Sequence, residues 1–152
     1  MAMVDILHRI GATASPEDVY AALTTIDGLA GWWTEDTTGD SSRGGVIRFR
    51  FAGAPGGAGC DMRVLEAVPD KLVLWEVVDG PEEWIGTEVR FELSREDDFT
   101  IVLFQHTGWK EAVTFMHHCS TKWATFLMSL KKYVETGTGE PAPHDVQVSN
   151  WH

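Results

Sequence analysis

The sequence predicts an α+β domain: a curved antiparallel sheet of about six strands wrapped around a long C-terminal helix, with two short helices after the first strand. Three observations predict it. The middle of the chain alternates apolar and polar residues in stretches broken only by turns, with no helix between them, which favours an antiparallel meander. Near the C-terminus Met116, Ser120, Trp123, Leu127, Leu130 and Val134, all apolar but Ser120, recur at alternating steps of four and three, the mark of one amphipathic helix. A capped helical segment, "ASPEDVYAAL", separates the first strand from the meander.

The elements follow in order. Val4 to Ala12 alternates, with Val4, Ile6, His8 and Ile10 on one side and Asp5 and Arg9 on the other, as a half-buried strand does. Ser15 caps the next helix, Pro16 suits its first position, and Glu17 and Asp18 complement its positive end. Gly28 is expected to break that helix, and "LAGWW" to form a second short one. The acidic run "TEDTTGDSS" then reads as a polar loop. The meander comprises "GVIRFRFAG", "CDMRVLEAV", "KLVLWEVV", "WIGTEVRFELSRE" and "FTIVLFQHTGW". "GAPGGAG" is a glycine-rich connection between two of its strands and "PDK" a tight turn. Arg48, Arg50, Arg63 and Arg90, with Asp61, Glu88 and Glu92, are expected to form cross-strand ion pairs on the solvent face. Gly137 and Gly139 end the long helix, and Pro141 and Pro143 prevent its resumption. Residues 136–152 form a tail in which Trp151 docks on the body or frays.

Composition bounds the rest. A chain of 152 residues, 43% hydrophobic and 23% charged, suits one domain spanning 1–152 with one core. No apolar run reaches a membrane span, and the start "MAMVDILHRIGATAS" lacks a secretory signal, so a cytoplasmic protein is expected. Cys60 and Cys119 then read as reduced, packed thiols. A formal charge of -11 argues against nucleic acid and anionic membranes as partners.

The adjacent Trp32 and Trp33 raise the functional question. On a regular helix their rings diverge by about 100°, so one is expected to pack beneath the second short helix and the other to face a cavity mouth, with the acidic run as its rim. "MHHCS" does not chelate a metal: His117 and His118 diverge, and the i, i+4 spacing of a helical metal pair is absent. No G-x-S-x-G or phosphate loop is present, so no catalytic residue and no cofactor is assigned.

"ASPEDVYAALTTIDGLAGWWT", "TIVLFQHTGW" and "STKWATFLMSLKKYVETGTGEP" resemble the START-like, or SRPBCC, helix-grip superfamily. Within it the chain is most similar to the branch named after the activator of the ninety-kilodalton heat-shock-protein ATPase, whose bacterial members are commonly single domains. The resemblance implies an apolar cavity between sheet and long helix. With strand alternation it selects Phe49, Phe51, Val89, Phe91, Phe104 and Trp123 as cavity-lining residues. Met62, Trp75, Trp84, Met116 and Leu127 stand behind them, together with Trp32, Trp33 and His106. The implied ligand is a small hydrophobic or amphipathic molecule: a lipid, a sterol or a polyketide-like compound. Two alternatives come with the family. One is a stress-related co-chaperone role with a heat-shock protein as partner, although the eponymous co-chaperones carry an extra N-terminal domain for which this chain leaves no room. The other is a cyclase or dehydratase using His106, set against a structural histidine bonded to backbone.

Overall fold

A computed structural model describes residues 3–52 and 58–152. Seven strands form one sheet: β1 (Val4–Ala12), β2 (Asp36–Gly39), β3 (Val46–Arg50), β4 (Gly59–Val68), β5 (Leu72–Asp79), β6 (Glu88–Glu96) and β7 (Phe99–Trp109). Their spatial order is β1-β7-β6-β5-β4-β3-β2, and every pairing is antiparallel. The meander thus runs across the sheet from β2 to β7, and β1 closes against β7. Register shifts in β4, at Asp61/Met62 and Val64/Glu66, and in β1, at Val4/Ile6, accompany its curvature. Helices α1 (Pro16–Thr24) and α2 (Ile26–Trp32) carry the chain from one edge of the sheet to the other, and α3 (Thr114–Thr136) fills its concave face.

Capping fixes the helices. The Asp18 amide donates to Ser15 Oγ at 3.1 Å, as the sequence predicts for a helix start. The break between α1 and α2 falls at Thr25, not at Gly28: Thr25 leaves helical geometry, and its Oγ1 accepts from the Gly28 amide at 3.0 Å. Gly28 is instead buried inside α2, where a Cβ would overlap the Ala22 backbone. Gly137 ends α3 in the left-handed conformation at φ 87°. Contacts with β1 hold α3 in the grip. His8 Nε2 donates to Ser120 O at 3.1 Å, Lys131 Nζ donates to Gly11 O at 2.7 Å, and Glu135 Oε2 accepts from the Thr13 amide at 2.8 Å.

The run read as a polar loop contains β2, so the sheet has seven strands; Thr37 Oγ1 turns inward to donate to Thr34 O at 2.7 Å. β6 begins only at Glu88. Residues 84–87 form a turn with Gly86 at φ 86°, which leaves Ile85 exposed rather than on the inner face. Of the expected cross-strand ion pairs, Arg50–Asp61 forms at 2.8 Å, whereas Arg90 pairs along its own strand with Glu92 at 3.5 Å. The glycine-rich connection at 53–57 lies outside the described residues.

Candidate ligand-binding site

The tryptophan pair sits at the centre of an aromatic cluster. Trp33 is the C-cap of α2; its backbone stays in the right-handed region at φ -101° and ψ -68°, and its amide still donates to Leu29 O at 2.9 Å. The ring divergence expected on a regular helix is not found: the two rings lie nearly parallel, 5.9 Å apart at 12°. Trp32 is the anchor. Its Nε1–H donates to Ala22 O at 2.9 Å, tying α2 to α1, and its carbonyl accepts from Ser129 Oγ on α3 at 2.7 Å. Trp33 reaches further in, against Phe49 at 4.2 Å, Trp123 at 4.9 Å and Trp75 at 6.0 Å.

A cavity of about 590 Å³ lies beside this cluster. Its walls come from the first half of α3, the start of β4, the β5–β6 connection and the C-terminal tail. Trp33, Phe51, Trp84, Phe115, Trp123, Phe126 and, from the tail, Trp151 supply the apolar rings of the wall. Cys60 and Cys119 lie between them, both free and buried. Burial raises the Cys60 pKa and pushes Cys119 up to about 12, so both thiols stay protonated and behave as small apolar groups. The charged and imidazole side chains of the wall are Glu83, His118, Lys122, Asp145 and His152. Burial, helped by Lys122 and His152, holds the His118 pKa below the usual imidazole range.

The tail completes the wall because Trp33 and its neighbours grip it. The Ala142 amide donates to Trp33 O at 2.8 Å and its carbonyl accepts from the Glu35 amide at 3.0 Å, a short parallel bridge. The Glu140 amide donates to Ser129 Oγ at 2.7 Å. Trp151 docks edge-on against His118, 5.5 Å between centroids.

His106 is fully buried and spent on positioning. Trp123 Nε1–H donates to its Nδ1 at 3.1 Å, so Nδ1 is the bare nitrogen and Nε2 carries the proton. Nε2–H then faces Thr87 Oγ1 at 2.8 Å, and Thr87 donates onward to Trp84 O at 2.5 Å. Burial drives the imidazole pKa to about 3. The ring is thus neutral, in one tautomer, and without a free nitrogen for acid–base work. Its partners are side chains, not the backbone expected for a structural histidine. The relay joins the β5–β6 connection, β7 and α3, and fixes two walls of the cavity, Trp84 and Trp123.

Of the sequence-predicted residues, Trp33, Phe51, Trp84 and Trp123 border the cavity. Trp32, Phe49, Met62, Trp75, Val89, Phe91, Phe104, His106 and Leu127 are buried in the core and Met116 packs half-buried against it; none of them is on the cavity wall. The acidic run after Trp33 is not its rim; Glu83, Lys122 and Asp145 are. Sequence reasoning missed Phe115, Phe126, Lys122 and the tail residues. Phe126 follows Trp123 at i+3, a helical spacing that could have found it; nothing periodic marks the tail. Among the described residues no cluster of His, Cys, Asp or Glu could hold a metal ion, and no helix is long and apolar enough to cross a membrane.

A curved sheet closed on a long helix, with an apolar cavity beside that helix, defines the helix-grip class. Within it the chain belongs to the family of activator of Hsp90 ATPase homolog 1-like proteins, whose description matches residues 13–135. It is similar to Aha1 from Colwellia psychrerythraea, described as a dimer in solution, at 48% identity and TM-score 0.81, over 90% of this chain and 100% of that one. Two further solved structures share the fold. CalU16 from Micromonospora echinospora is 20% identical with TM-score 0.69, over 89% of this chain and 78% of that one. SSP2350 from Staphylococcus saprophyticus is 17% identical with TM-score 0.69, over 90% and 95%. No protein with a curated functional description matches.

Proposed function

We propose that this protein is a non-catalytic binding module that holds one apolar or amphipathic small molecule in the cavity beside α3. The observation that carries this reading is the wall itself: seven phenylalanine and tryptophan side chains around about 590 Å³, against five charged or imidazole side chains. That volume and polarity suit a small-molecule site. The groups that would carry chemistry are disarmed: both thiols are held protonated and His106 is neutral and fully bonded. Native mass spectrometry of freshly purified protein tests the reading. A one-to-one adduct of small mass, released on denaturation and soluble in organic solvent, is the expected result. Bare protein that also fails to take up added decanol would overturn it.

A second reading has its own support in the family membership and in the likeness to the Colwellia protein. In it the domain binds a heat-shock ATPase of its host, and by the same likeness forms a dimer. Stimulation of that ATPase by the purified protein supports this reading. An unchanged ATPase rate with no co-sedimentation removes it.

A further inference from the structure

Lys122 is the only lysine or arginine on the described cavity wall, and its partners all come from the tail. Its ammonium pairs with the Asp145 carboxylate, donates to Val146 O at 2.9 Å and to the His152 main-chain oxygen at 3.5 Å, and lies 4.9 Å from the Phe126 ring centroid. The pair is well buried, with side-chain exposures of 14% for Lys122 and 2% for Asp145. The remaining titratable side chains of the wall, the thiols aside, are Glu83 from the β5–β6 connection, His118 from α3 and His152 from the tail. His118 is held toward its neutral form.

This arrangement decides what kind of head group the cavity accepts. A ligand carboxylate entering the closed site finds the one wall cation already neutralised and its donors spent. It also meets the carboxylates of Asp145 and Glu83, which repel it. An uncharged ligand meets neither cost. Resting on the binding-module reading, we propose that Asp145 sets the charge selectivity of the cavity: it reserves the site for uncharged apolar ligands by holding Lys122 out of play. Asp145 is then a specificity-determining residue, acting by removing an attraction and adding a repulsion. Replacing it with the uncharged isostere leaves a buried ammonium without an anion, which a ligand carboxylate can satisfy.

The test uses the full chain at pH 8 with decanol and decanoate competing against N-phenyl-1-naphthylamine, an uncharged fluorescent probe. The wild type is expected to prefer decanol by about tenfold or more, the scale of one charge-assisted hydrogen bond. Asp145→Asn should move the ratio toward decanoate by about tenfold or more. Asp145→Asn combined with Lys122→Met should return the preference to decanol, because it loses the same ion pair but leaves no free cation. Loosening of the tail alone affects alcohol and acid alike, so the ratio isolates the charge. Asp145→Asn with a ratio within twofold of wild type, or a double variant that keeps the anion preference, overturns the proposal while leaving the binding reading intact. Failure of the wild type to bind the probe or decanol overturns both.

Discussion

Replacing His106 with leucine, which has a similar volume and no polar atom, tests the relay at the cavity wall. At pH 7 the variant leaves the Trp123 Nε1–H buried without an acceptor and Thr87 Oγ1 with one partner fewer. An orphaned donor plus one lost hydrogen bond costs about 2–4 kcal/mol. The pH dependence is more diagnostic. The folded imidazole titrates at about 3 against 6.5 for an unperturbed one. Its folded pKa is depressed, so the stability it contributes is full above 6.5 and is lost as the pH falls toward 3, because only the unfolded chain takes up the proton. At pH 4 that loss amounts to about 3 kcal/mol, at roughly 1.4 kcal/mol per pH unit. Urea unfolding of both proteins at pH 7, 5.5 and 4, followed by tryptophan fluorescence, measures the difference. Carboxylates common to both cancel, so the wild type's advantage of about 2–4 kcal/mol should shrink to near zero by pH 4. A gap that stays constant across this range refutes a buried neutral His106.

Four further variants probe the frame and the wall. Ser129→Ala removes the hydroxyl that joins Trp32 O to the Glu140 amide; a loss of about 2–3 kcal/mol is expected in urea melts, with faster amide exchange from residue 140 onward. Gly31→Ala places a Cβ into the Tyr133 ring where α2 crosses α3, so thermal unfolding should show a loss of about 1–3 kcal/mol. Trp32→Phe breaks the indole bond to Ala22 O and should cost about 1–3 kcal/mol while leaving decanol affinity, read by probe displacement, unchanged; the same measurement on Trp33→Leu should show weaker binding.

Alternation and helical spacing carry local information, and where local pattern decides the structure the sequence is readable. β7 spans Phe99–Trp109 as its alternation predicts, and α3 ends at the glycine that predicts its end. β2 escaped because "DTTG" has no apolar period; it is a strand only because β3 pairs with it. The α1–α2 break escaped because a threonine that serves as C-cap of one helix and N-cap of the next looks like a helix interior, while a nearby glycine looks like a break. The aromatic wall was half legible. Inward-facing strand residues were easy to find, yet alternation cannot say which of them meet a void and which meet each other. Phe49, Trp75 and Phe91 meet each other and Trp33 or Trp32. The cavity's position depends on the β5–β6 connection and on an irregular tail folded back along α3, and neither has a period to read. His106 shows the same limit: its alternation places it inside, but the partners that fix its tautomer come from other elements, at sequence separations of 17 and 19.

The central claim is that an apolar molecule occupies the space walled by Trp33, Trp84 and Trp123 while Trp32 only anchors the frame. Indole ¹H–¹⁵N resonances during a decanol titration test it most directly. The account predicts saturable, one-to-one shifts for Trp33, Trp84 and Trp123, with Trp32 essentially unmoved. Shifts that do not saturate, or that centre on Trp32 and leave the three wall indoles still, would contradict it.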